Sequence, residues 1–394
     1  MSARDIVVVS AVRTAIGSFG GTLKDIPMAT LATTAVKASI ERAGLTPDQI
    51  GHVVMGNVIP TEPRDAYISR VAAIEAGIPQ ETPAFNVNRL CGSALQAIVS
   101  AVQAIKLGDC DIAIGAGVES MSRGPYLMPA GRWGARLGDT QMLDYMNGIL
   151  HDPFHRVHMG ITAENVAERF GISREQMDAL AAASQQRAAL AIKEGRFKGQ
   201  IVPVEIKTKK GVTLFDTDEN VRGDVTAEQL AGMKAVFKKD GLVTAGNASS
   251  LNDGAASLVL VEAATAAKLG LKPLARVVSY GHAGVDPAIM GIGPVPATKL
   301  ALQRAGLKVA DLDVIESNEA FAAQACAVGK ELGFDPAKTN VNGSGISLGH
   351  PVGATGAIIA TKAIHELHRV GGRYGLATMC IGGGQGIAMI FERA

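Results

Sequence analysis

Apolar runs alternate with helix-periodic stretches through the first third of the chain. Residues 6–9 are continuously apolar, as a strand buried on both faces requires. Arg13 and Thr14 open a glycine-rich turn that extends to Gly21. Residues 28–42 have helical periodicity (Leu31, Ala35, Ala38, Ile40) and stop at Ala43-Gly44, a helix C-terminal signal. A short turn follows at 47–50, a strand at 53–58, and a helix at 69–76 that ends at Gly77. A β-prone run (Ala84, Phe85, Val87) then meets a helical run from Ala94 to Leu107. Residues 111–117 form another buried strand. This β-α-β-α-β-α-β order predicts a mostly parallel sheet covered by helices.

The texture changes at Glu119. From 120 to about 244, loops rich in Gly, Met and Pro alternate with charged helices, and residues 162–194 are a run of good helix formers. Charge clusters at 207–210 and at Lys238-Lys239 read as solvated faces. This stretch is expected to be an inserted domain. After Asn247 the α/β texture returns, with a strand at 258–261, a helix at 262–269 and a strand at 274–280.

Here the chain repeats itself. Arg42-Ala43-Gly44-Leu45 recurs as Arg304-Ala305-Gly306-Leu307, and Asn86-Val87-Asn88 recurs as Asn340-Val341-Asn342. A helical run precedes both copies of the first motif. A glycine-containing turn and an Ala/Ile-rich helix follow both copies of the second. Two similar halves account for this shared order.

Composition narrows the function classes. Of 394 residues, 47% are hydrophobic and 46 are glycine, enough for a large core with many close backbone approaches. A net charge of +1 implies no polyanion-binding surface, so nucleic acid is not an expected partner. Four cysteines without a C-x-x-C pair argue for a reducing compartment and against a thiolate zinc site. The N-terminus turns polar too soon for a signal segment, and the C-terminal FERA matches no lipidation or peroxisomal address. No apolar run is read as a membrane span. Cytoplasm is the expected location.

Cys91 sits at a strand-to-helix junction, followed by Gly92 and Ser93. Unpaired N–H groups at a helix start favour a thiolate, so Cys91 reads as a nucleophile. A buried inert cysteine is the alternative. The repeat pairs this junction with Gly349-His350-Pro351, read as the start of the matching helix. His350 is thereby a partner for Cys91, though it is equally suited alone to a structural role. Cys380 lies in a glycine-rich loop that offers backbone N–H groups to an oxyanion or a ligand. A core cysteine is the alternative. A strand rather than a helix follows Gly386, which excludes a dinucleotide loop. Asn318 could orient a water or donate to an oxyanion, or Asn318 and Glu319 could cap the next helix. His151, His155 and His158 have the spacing of one helical face, as a metal site would use, but Pro153 interrupts it. His158-Met159-Gly160 reads better as a loop lining a pocket.

These residues resemble the thiolase family (acetyl-CoA acyltransferases). The motifs are CGSxLQA from Cys91, NEAF from Asn318, GHPxGATG from Gly349 and CxGGGQG from Cys380, with AGNAS-LNDGAA at 245–256. The likeness covers essentially the whole chain. Within the family it is closest to the broad-range β-ketothiolase B type of polyhydroxyalkanoate-producing bacteria. The resemblance implies a five-layered α-β-α-β-α fold of two similar βαβαβαββ halves with an inserted loop domain. The expected bounds are 1–120 plus 248–271 for the first half, 121–247 for the loop domain and 272–394 for the second half.

The resemblance also implies roles. Cys91 is acylated, His350 activates it, and Cys380 moves the proton at the substrate α-carbon. A water held by Asn318 forms one oxyanion hole with His350, and the N–H groups of Cys91 and Gly382 form the other. Arg222, Ser249, His158 and Met159 contact coenzyme A, and Phe321 lines the same pocket. Coenzyme A is a substrate, and neither a cofactor nor a metal is expected. A homotetramer, a dimer of dimers, is implied, with the loop at 126–139 as the inter-dimer contact.

The chemistry agrees from below. Joining two acetyl groups needs an acyl donor held on a soft nucleophile, a base for an acidic α-proton, and two oxyanion stabilisers. A second thiol with a pKa near the working pH suits the base. Ala94, Ser250 and the NGSGISLGHP stretch depart from the commoner family pattern. All lie near the expected pocket and are expected to bear on acyl-chain preference. A decarboxylating ketoacyl-synthase type of enzyme is the nearest alternative, but such enzymes lack a second catalytic cysteine. A non-catalytic acyl-CoA or lipid carrier on the same scaffold is the alternative outside catalysis.

Overall fold

Strand β1, Ile6–Thr14, runs through the middle of the main sheet. The computed structural model describes residues 4–209 and 211–394. Lys210, in the predicted charge cluster, lies outside the described residues, as do the first three residues of the chain. Arg13 and Thr14 belong to β1 and are fully buried, not part of a turn. Their burial is possible because Arg13 meets a carboxylate, Asp218, from the predicted insertion.

The first half continues with α1 (Met28–Ala43), β2 (His52–Gly56), α2 (Ile68–Glu75), β3 (Ala84–Val87), α3 (Ser93–Leu107) and β4 (Ile112–Ser120). Helices α4 (Met159–Phe170) and α5 (Arg174–Lys193) occupy the stretch predicted as one helical run. Gly171, at φ 62°, ends the first of them, and Ser173 caps the second. A short strand, β5 (Ile201–Val202), pairs in parallel with Arg13 and Thr14. The insertion therefore contributes to the main sheet.

The chain returns through β6 (Asn252–Glu262), longer than predicted because its polar residues Asn252, Asp253 and Ser257 are buried too. The second half is β7 (Ala275–Gly284), α6 (Pro294–Ala305), β8 (Val314–Ser317), α7 (Ala322–Leu332), α8 (Thr355–Val370), β9 (Tyr374–Ile381) and β10 (Gln385–Arg393). The repeat survives in detail. Gly44 ends α1 at φ 70° and Gly306 ends α6 at φ 67°.

The main path of the sheet is β8-β9-β10-β7-β1-β6-β4-β2-β3. Pairing is parallel among β2, β3 and β4 and between β8 and β9, and antiparallel at β6–β4, β1–β6, β1–β7, β7–β10 and β9–β10. The sheet is thus mixed rather than mostly parallel. Each half ends in a strand that folds back antiparallel beside the preceding one, and local periodicity carries no sign of that direction. Within the sheet the halves meet along β1 and β7, where Val7 and Val8 pair with Arg276 and Ala275.

Three apolar cores match a five-layered arrangement. One lies between the two halves and contains α3 and α8. One covers the first half with α1 and α2. One covers the second half with α4, α6 and α7. Residues 90–107 do reach the length and hydropathy of a membrane span, but 67% of that window is buried in the protein. Helix α3 is apolar round most of its circumference because it packs on strands β2 and β4 and on α8, and Gln96, Ser100 and Gln103 form its remaining polar stripe.

Candidate active site

Cys91 stands on a tight elbow between β3 and α3. Leu90 has φ 44°, in the left-handed region that a branched side chain rarely enters. Ser93 holds this turn. Its hydroxyl accepts the Arg89 N–H at 2.9 Å and donates to the Leu90 carbonyl at 2.6 Å. Asn88 Oδ1 accepts the Leu90 N–H at 2.9 Å. Gly92 is the N-cap of α3, so Cys91 precedes the helix instead of opening it.

Cys91 is partly exposed and lines a cavity of about 480 Å³. Burial of its sulfur pushes the thiol pKa up to about 11, against the lowering from the N–H groups of Gly382 and of Cys91 itself. The charge of Glu119 adds to the rise. The thiolate preference predicted from a helix start is therefore overturned. Desolvation outweighs two N–H donors.

His350 lines the same cavity and is 6% exposed. It does not start α8. A turn separates the two, and the helix begins at Thr355. Burial pushes the imidazole pKa down to about 4, so the ring is neutral at physiological pH. Cys380, at the end of β9, is buried in the cavity wall. Burial and the neighbouring Cys91 push its thiol above the ordinary range. A second thiol tuned near the working pH is thus not present in the resting protein. Beyond it, Gly382 donates its N–H toward the Cys91 sulfur and lines the cavity. A Cβ there would lie 2.9 Å from Met159 Cε and 3.2 Å from Leu90 Cδ1.

Asn318 lies behind this group. It is fully buried, and its Nδ2 is 3.5 Å from both ring nitrogens of His350. Its Oδ1 has no hydrogen-bond partner among the described residues. Neither Asn318 nor Glu319 caps α7. Phe321 is the N-cap residue, and the Asn247 carbonyl accepts the first helical N–H. Glu319 instead accepts from Ser184 at 2.6 Å and from Asn340 at 2.9 Å.

Of the residues expected to meet coenzyme A, Ser249, His158, Met159 and Phe321 line the cavity. His158 is the N-cap of α4, and its Nδ1 accepts the Gly160 N–H at 3.0 Å. Burial, then His151, push its pKa down to about 4. A neutral ring accepting at Nδ1 carries its proton on Nε2. The ring stacks on Phe237 at 4.5 Å. Arg222 is exposed and outside the cavity wall. His151 and His155 fall in the connection before α4, not on a helical face. Among the described residues no cluster of three or more His, Cys, Asp or Glu is placed to hold a metal.

The two departures at single positions separate. Ser250 lines the cavity, and its hydroxyl donates to Asn252 Oδ1 at 2.8 Å. Ala94 is fully buried outside the cavity wall, its methyl directed at Gly117 and so kept from the acyl site.

The sequence reading missed Glu119. It is fully buried and accepts from the N–H groups of Val58, Ile59 and Gly353 and from Asn57 Nδ2, at 2.8–3.2 Å. Burial pushes its pKa up to about 8 against those donors. An acidic residue ending an apolar strand was the available signal.

Comparison with known proteins agrees with the geometry. The thiolase N-terminal domain family matches residues 6–264, and the thiolase C-terminal domain family matches 271–393. The chain is 66% identical to beta-ketothiolase BktB of Cupriavidus necator over 391 residues, covering 99% of each. It is 51% identical to an acetyl-CoA acetyltransferase of Pseudomonas aeruginosa, covering 99% of this chain and all of the relative. Human mitochondrial 3-ketoacyl-CoA thiolase superposes with a TM-score of 0.97 at 44% identity, covering 99% of both chains. Its complex with CoA gives 0.96 at 43% identity, covering 99% of this chain and 98% of that one. The chain belongs to the thiolase family.

Proposed function

We propose that this cavity exchanges acyl groups between coenzyme A thioesters, as an acetyl-CoA C-acyltransferase. It condenses acetyl-CoA with acetyl- or short acyl-CoA and, in reverse, cleaves 3-ketoacyl-CoA with coenzyme A. The observation that carries this reading is the convergence of Cys91, His350, Cys380 and the Gly382 N–H on one largely apolar cavity.

Each half-reaction follows from these groups. Neutral His350 takes the Cys91 proton as the sulfur attacks a thioester carbonyl. The carbon–sulfur bond to coenzyme A breaks, and the proton passes to the departing thiolate. The N–H groups of Cys91 and Gly382 stabilise the oxyanion. In the second half-reaction His350, neutral again, accepts the Cys380 proton, and the Cys380 thiolate takes the α-proton of acetyl-CoA. Its raised pKa makes it a strong base for that task. The resulting enolate attacks the acyl-Cys91 carbonyl, the carbon–sulfur bond breaks, and the departing Cys91 thiolate takes the proton held on His350. The Nε2–H of the protonated His350 ring and a water on Asn318 stabilise the enolate oxygen, and the unpartnered Asn318 Oδ1 supports such a water. Kinetics are ping-pong.

The His158 Nε2–H and the Ser249 hydroxyl serve the pantetheine arm, with Met159 and Phe321 as apolar wall. Exposed Arg222 serves the phosphates beyond. Two working thiols need a reducing compartment, so the reading places the protein in the cytoplasm, in fatty acid metabolism and polyhydroxyalkanoate biosynthesis. The assembly is a dimer of dimers. Trp133 (81% exposed) and Leu137 (99% exposed) support the loop at 126–139 as its contact. Sedimentation of a Trp133→Asp, Leu137→Asp variant tests it, with dimers as the expected result and intact tetramers as the contrary one.

Turnover of acetoacetyl-CoA with coenzyme A tests the function. Thiolysis is expected. Binding without turnover would favour the carrier reading, and dependence on a malonyl thioester would favour the synthase reading.

A further inference from the structure

We propose that Thr355 sets the tautomer of His350 and is a positioning residue for acyl transfer. The inference rests on the reading above that His350 is the base for Cys91. His350 Nδ1 lies 2.7 Å from Thr355 Oγ1. Thr355 Oγ1 lies 2.9 Å from the carbonyl oxygen of Pro351, the bond a threonine makes to the residue four positions back. A hydroxyl has one proton to give. Given to Pro351, it leaves Oγ1 only an acceptor toward the ring. The imidazole must then carry its proton on Nδ1, and Nε2 keeps the lone pair that a base requires. The reverse arrangement, with the hydroxyl proton aimed at Nδ1, would place the ring proton on Nε2 and abolish the base.

Three further features isolate this contact. His350 and Thr355 are 6% and 2% exposed, which keeps bulk water from Nδ1. The Asn318 amide is equidistant from both ring nitrogens and selects neither. The backbone of His350 is held separately, by Asn252 Oδ1 at 2.8 Å. A change at Thr355 therefore alters the partner of the ring and leaves its backbone in place. When Nε2 takes the thiol proton, the Nδ1–H bond to Oγ1 also supports the imidazolium in a site whose burial opposes that charge.

The test is solid-state 15N NMR of the resting, histidine-labelled protein, with His350 assigned by the signal lost in His350→Gln. The proposal predicts the Nδ1–H tautomer in the wild type. Thr355→Val is expected to lose that preference and to slow Cys91 acylation roughly 10- to 100-fold with little change in KM. Thr355→Ser, which keeps the hydroxyl, is expected to restore both. An Nε2–H tautomer in the wild type would overturn the proposal, as would a Thr355→Val protein with unchanged tautomer and acylation rate. If Thr355→Val does not fold, the wild-type tautomer decides alone. Full turnover by His350→Gln would instead refute the role of His350, while the tautomer measurement would still judge Thr355.

Discussion

Asn252 Oδ1 accepts the backbone N–H of His350 at 2.8 Å, so a strand of the first half fixes a site residue of the second. Asn252 Nδ2 is itself anchored on the Gly17 carbonyl at 3.0 Å. Gly349 makes the approach possible. Its φ is 109°, and a Cβ there would lie 2.4 Å from the Asn252 carboxamide. Gly349→Ala is therefore expected to cost about 2–4 kcal/mol of stability, from backbone strain plus overpacking. Urea unfolding measures the loss, and kcat should fall further than KM rises. Unchanged stability would mean that this contact does not position His350.

Glu119 ties the loop after β2 to the loop that carries His350, and its charge raises the Cys91 pKa. Glu119→Gln turns an amide toward groups that are all donors, at a cost of about 1–3 kcal/mol. It also removes the charge. The pH profile of Cys91 alkylation by iodoacetamide should shift to lower pH than in the wild type. A shift to higher pH would contradict the electrostatic account.

Most elements were legible in the sequence, and so were three residues, Cys91, His350 and Cys380, that the structure brings to one cavity. Cys91, His350 and Cys380 lie in glycine-marked motifs at element ends, and the repeat linked the first two. Strand direction was not legible, because β6 and β10 have the same apolar texture as parallel strands. Protonation was not legible either. The sequence shows a cysteine near a helix start but not the desolvation that outweighs it. Arg13 looked like a turn residue because its partner, Asp218, is remote in the chain. Glu119 ends an apolar strand but its partners, Val58, Ile59 and Gly353, are remote in the chain, and the bond of Thr355 to His350 depends on the turn between them.

Burial of neutral His350 makes stability depend on pH. Its folded pKa, about 4, lies below the ordinary value of 6.5. The unfolded chain therefore binds the extra proton first as pH falls. The contribution is fully present above pH 6.5 and is lost between there and pH 4, by up to about 3 kcal/mol. His158 and His282 are lowered for the same reason and add to the loss. The urea midpoint should fall between pH 7.5 and 5, and fall less in His350→Gln. Equal slopes in the two proteins would contradict the assignment.

Arg13 and Asp218 form a fully buried pair, with bonds of 2.7 and 2.8 Å. Gln200 accepts from Arg13 Nε at 2.8 Å. Asp218→Ala leaves an uncompensated buried guanidinium and is expected to cost about 3–5 kcal/mol. Thermal or urea unfolding measures it. A loss under about 1 kcal/mol, typical of exposed pairs, would show that the site admits water.

The central claim is that Cys91 carries the acyl group. Mass spectrometry of the Cys91 peptide, after mixing the protein with 3-ketoacyl-CoA substrates of four to ten carbons, tests it most directly. An adduct of acyl mass on Cys91, absent in Cys91→Ser together with turnover, is the predicted result. Near wild-type cleavage or condensation by Cys91→Ser would contradict the account.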